Sequence, residues 1–247
     1  MMGRPTLVAH RGYPTNYPEN TMIGYRATVE AGATWIETDI QITRDHVVVL
    51  YHDSTLTRIS GVEGSLLDRT FSDLQKISAS HESRFGQEFS DEPIATLAQL
   101  VDLINQHPQI QAMIEIKQES IDTHGLDIVL DLTYRDLATV KAQCVVISKN
   151  VEALSRSREE QGYRIGWVLP AWTNETHQIA DQLNPDFMIC KAARFPDKDD
   201  QIWQGGWQWM IYSIDEPATA LLQPERGIEL VETNQIGKLL GDDRLKL

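Results

Sequence analysis

Short apolar or β-branched runs alternate with amphipathic stretches from one end of the chain to the other. The runs that predict strands are residues 6–10, 35–42, 47–51, 112–117, 144–148, 164–169, 186–191, 209–214 and 228–232. Between most of them apolar positions recur at helical spacing, over residues 21–31, 97–106, 126–138, 151–161, 175–183, 216–222 and 236–240. Asn20 ahead of Thr21, and Asn174 ahead of Glu175, read as helix N-caps. Strands that alternate with helices in this way mean βαβ units and a largely parallel sheet. The chain has 247 residues, close to the roughly 250 that a (β/α)8 barrel uses as one domain. The predicted fold is therefore an α/β TIM barrel formed by residues 1–247.

Nine strands are predicted for eight barrel positions. The surplus falls at residues 35–51, where Thr43 to His46 is too short for a parallel crossover of about a dozen residues. The two runs should pair as an antiparallel hairpin after strand 2. A two-residue turn at Arg44-Asp45 would set Glu37 opposite His52 and Asp39 opposite Leu50. Residues of about 54–93 fit no barrel element. They hold Gly61, Gly64 and Gly86, several serines and one weak helical stretch near Phe71–Ile77. This segment is expected to be a small insertion over the C-terminal face of the barrel.

Four short segments at or near strand ends carry chemistry: His10-Arg11-Gly12, Glu37-Thr38-Asp39, His52-Asp53 and Glu115-Ile116-Lys117. Residues at the C-terminal ends of parallel barrel strands converge on one face. Glu37 and Asp39 stand two apart on a strand, so their carboxylates point the same way, and Glu115 and Lys117 repeat the spacing. Acids aimed at one cavity repel unless protonated or bridged by a cation. Oxygen ligands without thiolates select one divalent cation, Mg²⁺ or Ca²⁺, with Mn²⁺ as a further candidate. One isolated pair of acids would more often cap strand ends and pair with Lys or Arg, but three acids beside two histidines favour the metal site. His10 and His52 are an imidazole pair suited to acid and base roles. Arg11 offers a planar fork for a phosphate or carboxylate, and Gly12 permits a sharp turn or a close approach. The other five histidines lie in turns, loops or exposed helix positions and receive no role.

The net charge of −14 argues against a nucleic-acid partner. No run approaches the ~18 apolar residues of a membrane span, and Met1-Met2-Gly3-Arg4-Pro5 leads into a strand without the apolar core of a secretion signal. The expectation is a cytoplasmic protein without an integral membrane segment. Cys144 and Cys190 lie inside apolar runs and read as buried thiols. Oligomeric state leaves no signature in the chain.

Taken together, these segments resemble the glycerophosphodiester phosphodiesterase family. The likeness runs in order from His10-Arg11-Gly12 through Pro18-Glu19-Asn20-Thr21, Gly32-Ala33, the stretch from Ile36-Glu37-Thr38-Asp39 to Arg44-Asp45, and Val48-Val49-Leu50-Tyr51-His52-Asp53. It continues with Leu56-Thr57-Arg58 and Ile94-Ala95-Thr96-Leu97 and ends at Ile114-Glu115-Ile116-Lys117. The resemblance implies a barrel that hydrolyses a small glycerophosphodiester to sn-glycerol 3-phosphate and an alcohol. It implies that Glu37, Asp39 and Glu115 ligate one divalent cation, that His10 and His52 are the acid/base pair, and that Arg11 and Lys117 steady the phosphate. It also implies that the substrate's own glycerol hydroxyl attacks first, giving a cyclic phosphate that water opens. The second half departs from the family pattern at Lys149, at Tyr212-Ser213-Ile214 and at Thr233-Asn234, which leaves the alcohol group open. Three rivals remain at this point: a lysophospholipase D-like phosphodiesterase with a longer apolar groove, a non-catalytic phosphate-ester-binding barrel, and a (β/α)8 protein of other function reached by fold analogy alone.

Overall fold

A computed structural model of the chain describes residues 3–197 and 201–246; Met1 and Met2 of the lead-in lie outside them. Eight parallel strands close into a barrel: β1 (Thr6–Ala9), β2 (Trp35–Ile42), β4 (Gln111–Ile116), β5 (Cys144–Ser148), β6 (Arg164–Val168), β7 (Phe187–Lys191), β8 (Gln208–Tyr212) and β9 (Leu230–Thr233). β1 pairs in parallel with both β2 and β9, which completes the ring. The ninth strand, β3 (Val48–Leu50), lies antiparallel on β2. The predicted barrel and hairpin are both present.

The hairpin register differs by one residue from the expected one. Ile40 faces Leu50 and Gln41 faces Val49, because the turn uses three residues rather than two. Thr43 O accepts from His46 N at 2.9 Å, and His46 takes a left-handed φ of 62° before Val47 O accepts from Thr43 N. Asp39 therefore pairs with Tyr51 through Tyr51 N and Asp39 O at 3.0 Å, and Glu37 does not face His52 across the ladder.

Alternation along the strands sorts side chains between two cores. Ile36, Ile40 and Ile42 of β2, with Ala112, Ile114 and Ile116 of β4, join the layer under the helices. Their neighbours Trp35, Glu37, Asp39, Met113 and Glu115 belong to the other face, inside the barrel. Val8, Met113, Val145, Ile147, Val168, Phe187, Ile189, Met210 and Leu230 fill that interior. The helices around the barrel include α1 (Met22–Glu30) after β1. They continue with α5 (Leu97–Gln106), α6 (Gln118–His124), α7 (Leu126–Leu137), α8 (Val151–Gln161), α9 (Asn174–Leu183), α10 (Pro217–Leu221) and α11 (Ile236–Gly241). The caps differ from the expected ones. Thr21 caps α1 by accepting from Gly24 N, and Thr173 caps α9 by accepting from Thr176 N. Asn20 is instead turned inward with a left-handed φ of 57°.

The segment between β3 and α5 carries three single-turn helices, α2 (Thr57–Ser60), α3 (Phe71–Leu74) and α4 (Glu82–Phe85). It is not structureless: Leu56, Ile59, Leu66, Leu67, Leu74, Ala79 and Ile94 form a separate apolar cluster with Val49 and Tyr51 of the hairpin. Cys144 and Cys190 are buried and unbridged. No helix among the described residues is long and apolar enough to cross a membrane.

Candidate active site

Six of the seven side chains singled out in the sequence line one cavity at the C-terminal mouth of the barrel: His10, Arg11, Glu37, His52, Glu115 and Lys117. The seventh, Asp39, lies behind them and is fully buried. Asp39 and Glu115 are brought side by side because β2 and β4 pair with those two residues in register. Glu37, Asp39 and Glu115 each offer a carboxylate oxygen, all within 4.8 Å of one another. Three converging hard oxygen donors fit a Mg²⁺- or Ca²⁺-sized cation.

Cations of the chain itself already answer part of this charge. Lys117 Nζ donates to Asp39 Oδ1 at 3.0 Å and to Glu115 Oε1 at 3.1 Å. Arg11 Nε stands 2.9 Å from Asp39 Oδ2 without the alignment of a hydrogen bond. Asn20 Nδ2 donates to the same oxygen at 3.0 Å, while its Oδ1 accepts from Tyr25 and Thr38 hydroxyls. Burial opposes ionisation of Asp39, but Arg11, Lys117 and His52 together outweigh it and hold the carboxyl well below its usual range. Glu37 goes the other way. Burial, then the charges of Asp39 and Glu232, push it well above the usual carboxylate range. Burial likewise raises Glu115. Buried carboxyls that resist ionisation beside one that stays ionised are the electrostatic situation a divalent cation relieves.

The chain turns sharply out of β1 to deliver His10 and Arg11. Arg11 has a left-handed φ of 52°, and its backbone N donates to Glu37 Oε2 at 3.1 Å. Gly12 follows at φ +87°, where a Cβ would come within 3.1 Å of the Gly24 carbonyl carbon. Only glycine fits that approach.

Each histidine is held through Nδ1. His10 Nδ1 contacts Asn234 Oδ1 at 2.8 Å. Asn234 in turn donates its backbone N to Asp215 Oδ1 at 2.8 Å and its Nδ2 to Asp215 Oδ2 at 3.2 Å. With Nδ2 committed to Asp215, Oδ1 is the atom that faces His10, so the His10 proton sits on Nδ1. Burial, then the charge of Arg11, lower the His10 pKa to about 4. His52 Nδ1 meets Asp53 Oδ1 at 2.6 Å. Arg58 of α2 then clamps the far oxygen of Asp53 at 2.7 Å and reaches Glu19 at 2.8 and 2.9 Å. Glu19 accepts from Arg11 Nη1 at 2.9 Å. A continuous chain of polar contacts therefore joins His52, Asp53, Arg58, Glu19, Arg11 and Asp39, and Arg58, the link between Asp53 and Glu19, belongs to the insertion.

Sequence reasoning gave no role to Glu19, Asp53, Arg58, Asp215, Asn234 or Glu232. The first three lie inside the motifs quoted above, so their place in the order was the available signal. Glu232 lines the cavity at the end of β9 and is 3% exposed. Burial raises its pKa to about 8. Lys149 borders the same cavity and a second one beside it, which shares His52, Glu115 and Lys117 and adds Asp53, Ser54, Gln118 and Glu119.

The model of the glycerophosphoryl diester phosphodiesterase family matches residues 10–238, which takes in both histidines and all the acids of the cavity. The chain belongs to that family. A glycerophosphodiester phosphodiesterase of Bacillus altitudinis is 34% identical over 121 residues, 49% of each chain. Glycerophosphodiester phosphodiesterase 1 of Rattus norvegicus is 41% identical over 98 residues, 40% of this chain and 30% of the rat protein. The chain thus spans half or less of the length of these curated relatives. Among solved structures, an Oleispira antarctica phosphodiesterase in complex with the product sn-glycerol-3-phosphate superposes with a TM-score of 0.85 over 96% of both chains, at 22% identity. A Thermotoga maritima glycerophosphodiester phosphodiesterase gives a TM-score of 0.75 at 20% identity, over 98% of this chain and 99% of that one. At such identities the structural likeness speaks for the barrel fold.

Proposed function

We propose that the chain is a glycerophosphodiester phosphodiesterase that releases sn-glycerol 3-phosphate and an alcohol, with a divalent cation at Glu37, Asp39 and Glu115 and with His10 and His52 as base and acid. One observation carries this reading: three converging carboxylates and two oriented imidazoles meet at a single barrel mouth. A binding protein would need the charge but not the imidazole pair.

The cation, when bound, supplies Lewis-acid polarisation of the phosphoryl oxygens. The side chains do the rest. Arg11 and Lys117 offset the phosphate charge from opposite sides of the acid cluster, held in place by Glu19, Asp39 and Glu115. His10, protonated on Nδ1 by its bond to Asn234, presents a free Nε2 lone pair, and its lowered pKa keeps it neutral at pH 7. It takes the proton of the attacking hydroxyl, which the family likeness makes the substrate's own glycerol hydroxyl. His52, backed by the Asp53 carboxylate, delivers a proton to the departing alcohol oxygen. The resulting cyclic phosphate is opened by water with the two roles reversed. The second cavity, lined by Asp53, Ser54, Gln118, Glu119 and Lys149, favours a short polar alcohol over an acyl chain.

The test is product identity. Glycerophosphocholine and glycerophosphoethanolamine are incubated with the protein and added Mg²⁺ or Ca²⁺, and sn-glycerol 3-phosphate is assayed with a coupled dehydrogenase. Its release confirms the reading. Folded protein that releases none with any cation, or that releases the phosphorylated alcohol instead, sinks it.

A further inference from the structure

Glu232 is unlike every other acid of the cavity. Asp39 and Glu115 are held by Lys117, Glu37 accepts from the Arg11 backbone, and Asp53 and Glu19 are clamped by Arg58. The Glu232 carboxylate makes no hydrogen bond and no ion pair among the described residues, although it is 97% buried by its 3% exposure and aimed into the cavity. Its oxygens are not sealed in the core but reach the open space of the cavity, so they meet whatever enters it.

Its neighbours say which kind of group suits it. One carboxylate oxygen lies within 4.8 Å of a His10 ring nitrogen and of a Glu37 oxygen. On β9 it pairs with Tyr212 of β8 and with Val8 of β1. It therefore stands between the base and the apolar wall of Met210, Ile189 and Val168. Arg11 and Lys117 already serve the phosphate. What a lone acceptor beside the base can take is a neutral hydroxyl donor.

We infer that Glu232 accepts the terminal hydroxyl of the substrate's glycerol, one carbon beyond the hydroxyl that His10 deprotonates. This rests on the proposed phosphodiesterase reading and names the residue that holds the glycerol end of its substrate. A lysophospholipid carries its acyl ester at that oxygen. It therefore has no proton to donate there and leaves Glu232 buried without a partner, so the residue selects against lipid substrates.

The experiment compares kcat/KM for glycerophosphocholine, for 2-hydroxypropyl phosphocholine and for 1-acyl lysophosphatidylcholine. The second keeps the attacking hydroxyl and lacks the terminal one. The wild type should favour glycerophosphocholine by at least about tenfold over both. Glu232→Leu should bring the first two within about threefold of each other, chiefly through a raised KM for glycerophosphocholine. Glu232→Gln, which keeps an acceptor oxygen, should retain part of the preference. Equal rates in the wild type, or a preference that survives Glu232→Leu, overturn the inference while leaving the phosphodiesterase reading intact. So does a loss of Mg²⁺ or Mn²⁺ binding in Glu232→Leu, since that would make the residue a cation ligand. Should the wild type hydrolyse none of the three, calorimetry with sn-glycerol 3-phosphate and 2-hydroxypropyl phosphate asks the same question. Discrimination that disappears in Glu232→Leu supports the inference, and equal affinities in the wild type refute it.

Discussion

The two halves of the barrel mouth share one strand pattern and differ in what they place inside. From β9 through β1 and β2 to β4 the inward positions are Glu232, His10, Glu37, Asp39, Glu115 and Lys117. From β5 through β8 they are Ile147, Val168, Ile189 and Met210, with Tyr212 at the end of β8 and a single charged residue, Lys149, just past β5. One layer deeper the interior is apolar on every side, with Val8, Met113, Val145, Phe187 and Leu230. The charged half is therefore floored and faced by hydrocarbon, which strengthens each interaction inside it. That explains how neighbours on one strand, Glu37 and Asp39, are driven in opposite directions: Asp39 has Arg11 and Lys117, while Glu37 has mainly other acids. The charged half makes the field, and the apolar half leaves it poorly screened.

This contrast can be broken from either side. The largest effect should come from the acids. Asp39→Ala or Glu37→Ala should lower turnover by about 10³-fold or more and abolish Mg²⁺ binding in calorimetry, with circular dichroism unchanged. His10→Gln and His52→Gln should cost about 10²-fold or more in kcat while cation binding persists; near-normal rates in either would remove that residue from the mechanism. Arg58→Ala cuts the link between the insertion and both Glu19 and Asp53. A loss of about tenfold in kcat is expected, with little change in thermal stability.

A smaller and more diagnostic effect concerns pH. On the proposed reading His10 is the base, and burial and the charge of Arg11 lower its pKa from 6.5 to about 4, so the acid limb of kcat/KM should lie well below pH 6.5. Asn234→Asp puts a carboxylate on Nδ1, favours the imidazolium and should move that limb up by about one pH unit. The same shift makes folding depend on pH. The folded state binds the proton less readily than the unfolded chain, so stability is full above 6.5 and falls as pH drops toward 4. His10→Gln should flatten that slope in denaturant titrations. The least effect on chemistry should come from the apolar half. Ile189→Ala should cost ~2–5 kcal/mol of stability through its cavity yet leave kcat within about threefold, and a larger loss of kcat would give the wall a chemical role.

The barrel, the hairpin and the convergence of motifs were legible because they depend on local periodicity. What was not legible depends on backbone conformations or distant pairs. The hairpin slipped by one register because His46 takes a left-handed conformation that glycine would have advertised. Asn20 reads as a cap in the sequence, yet its side chain serves Asp39 rather than the helix end. α6 gives little periodic signal because it is short and largely polar. Glu232 is a lone acid in an apolar strand, without the second acid two residues away that made Glu37 and Asp39 conspicuous. Asp215 and Asn234, 19 residues apart, become a support for His10 only once β8 and β9 lie side by side.

The most direct test of the account is to measure turnover of glycerophosphocholine and cation binding on the same protein across a range of free Mg²⁺ or Ca²⁺. The account predicts that the two curves coincide, that chelator abolishes turnover and that added cation restores it. Full turnover in excess chelator would contradict it and return Glu37, Asp39 and Glu115 to the role of ion-pair partners for Arg11 and Lys117.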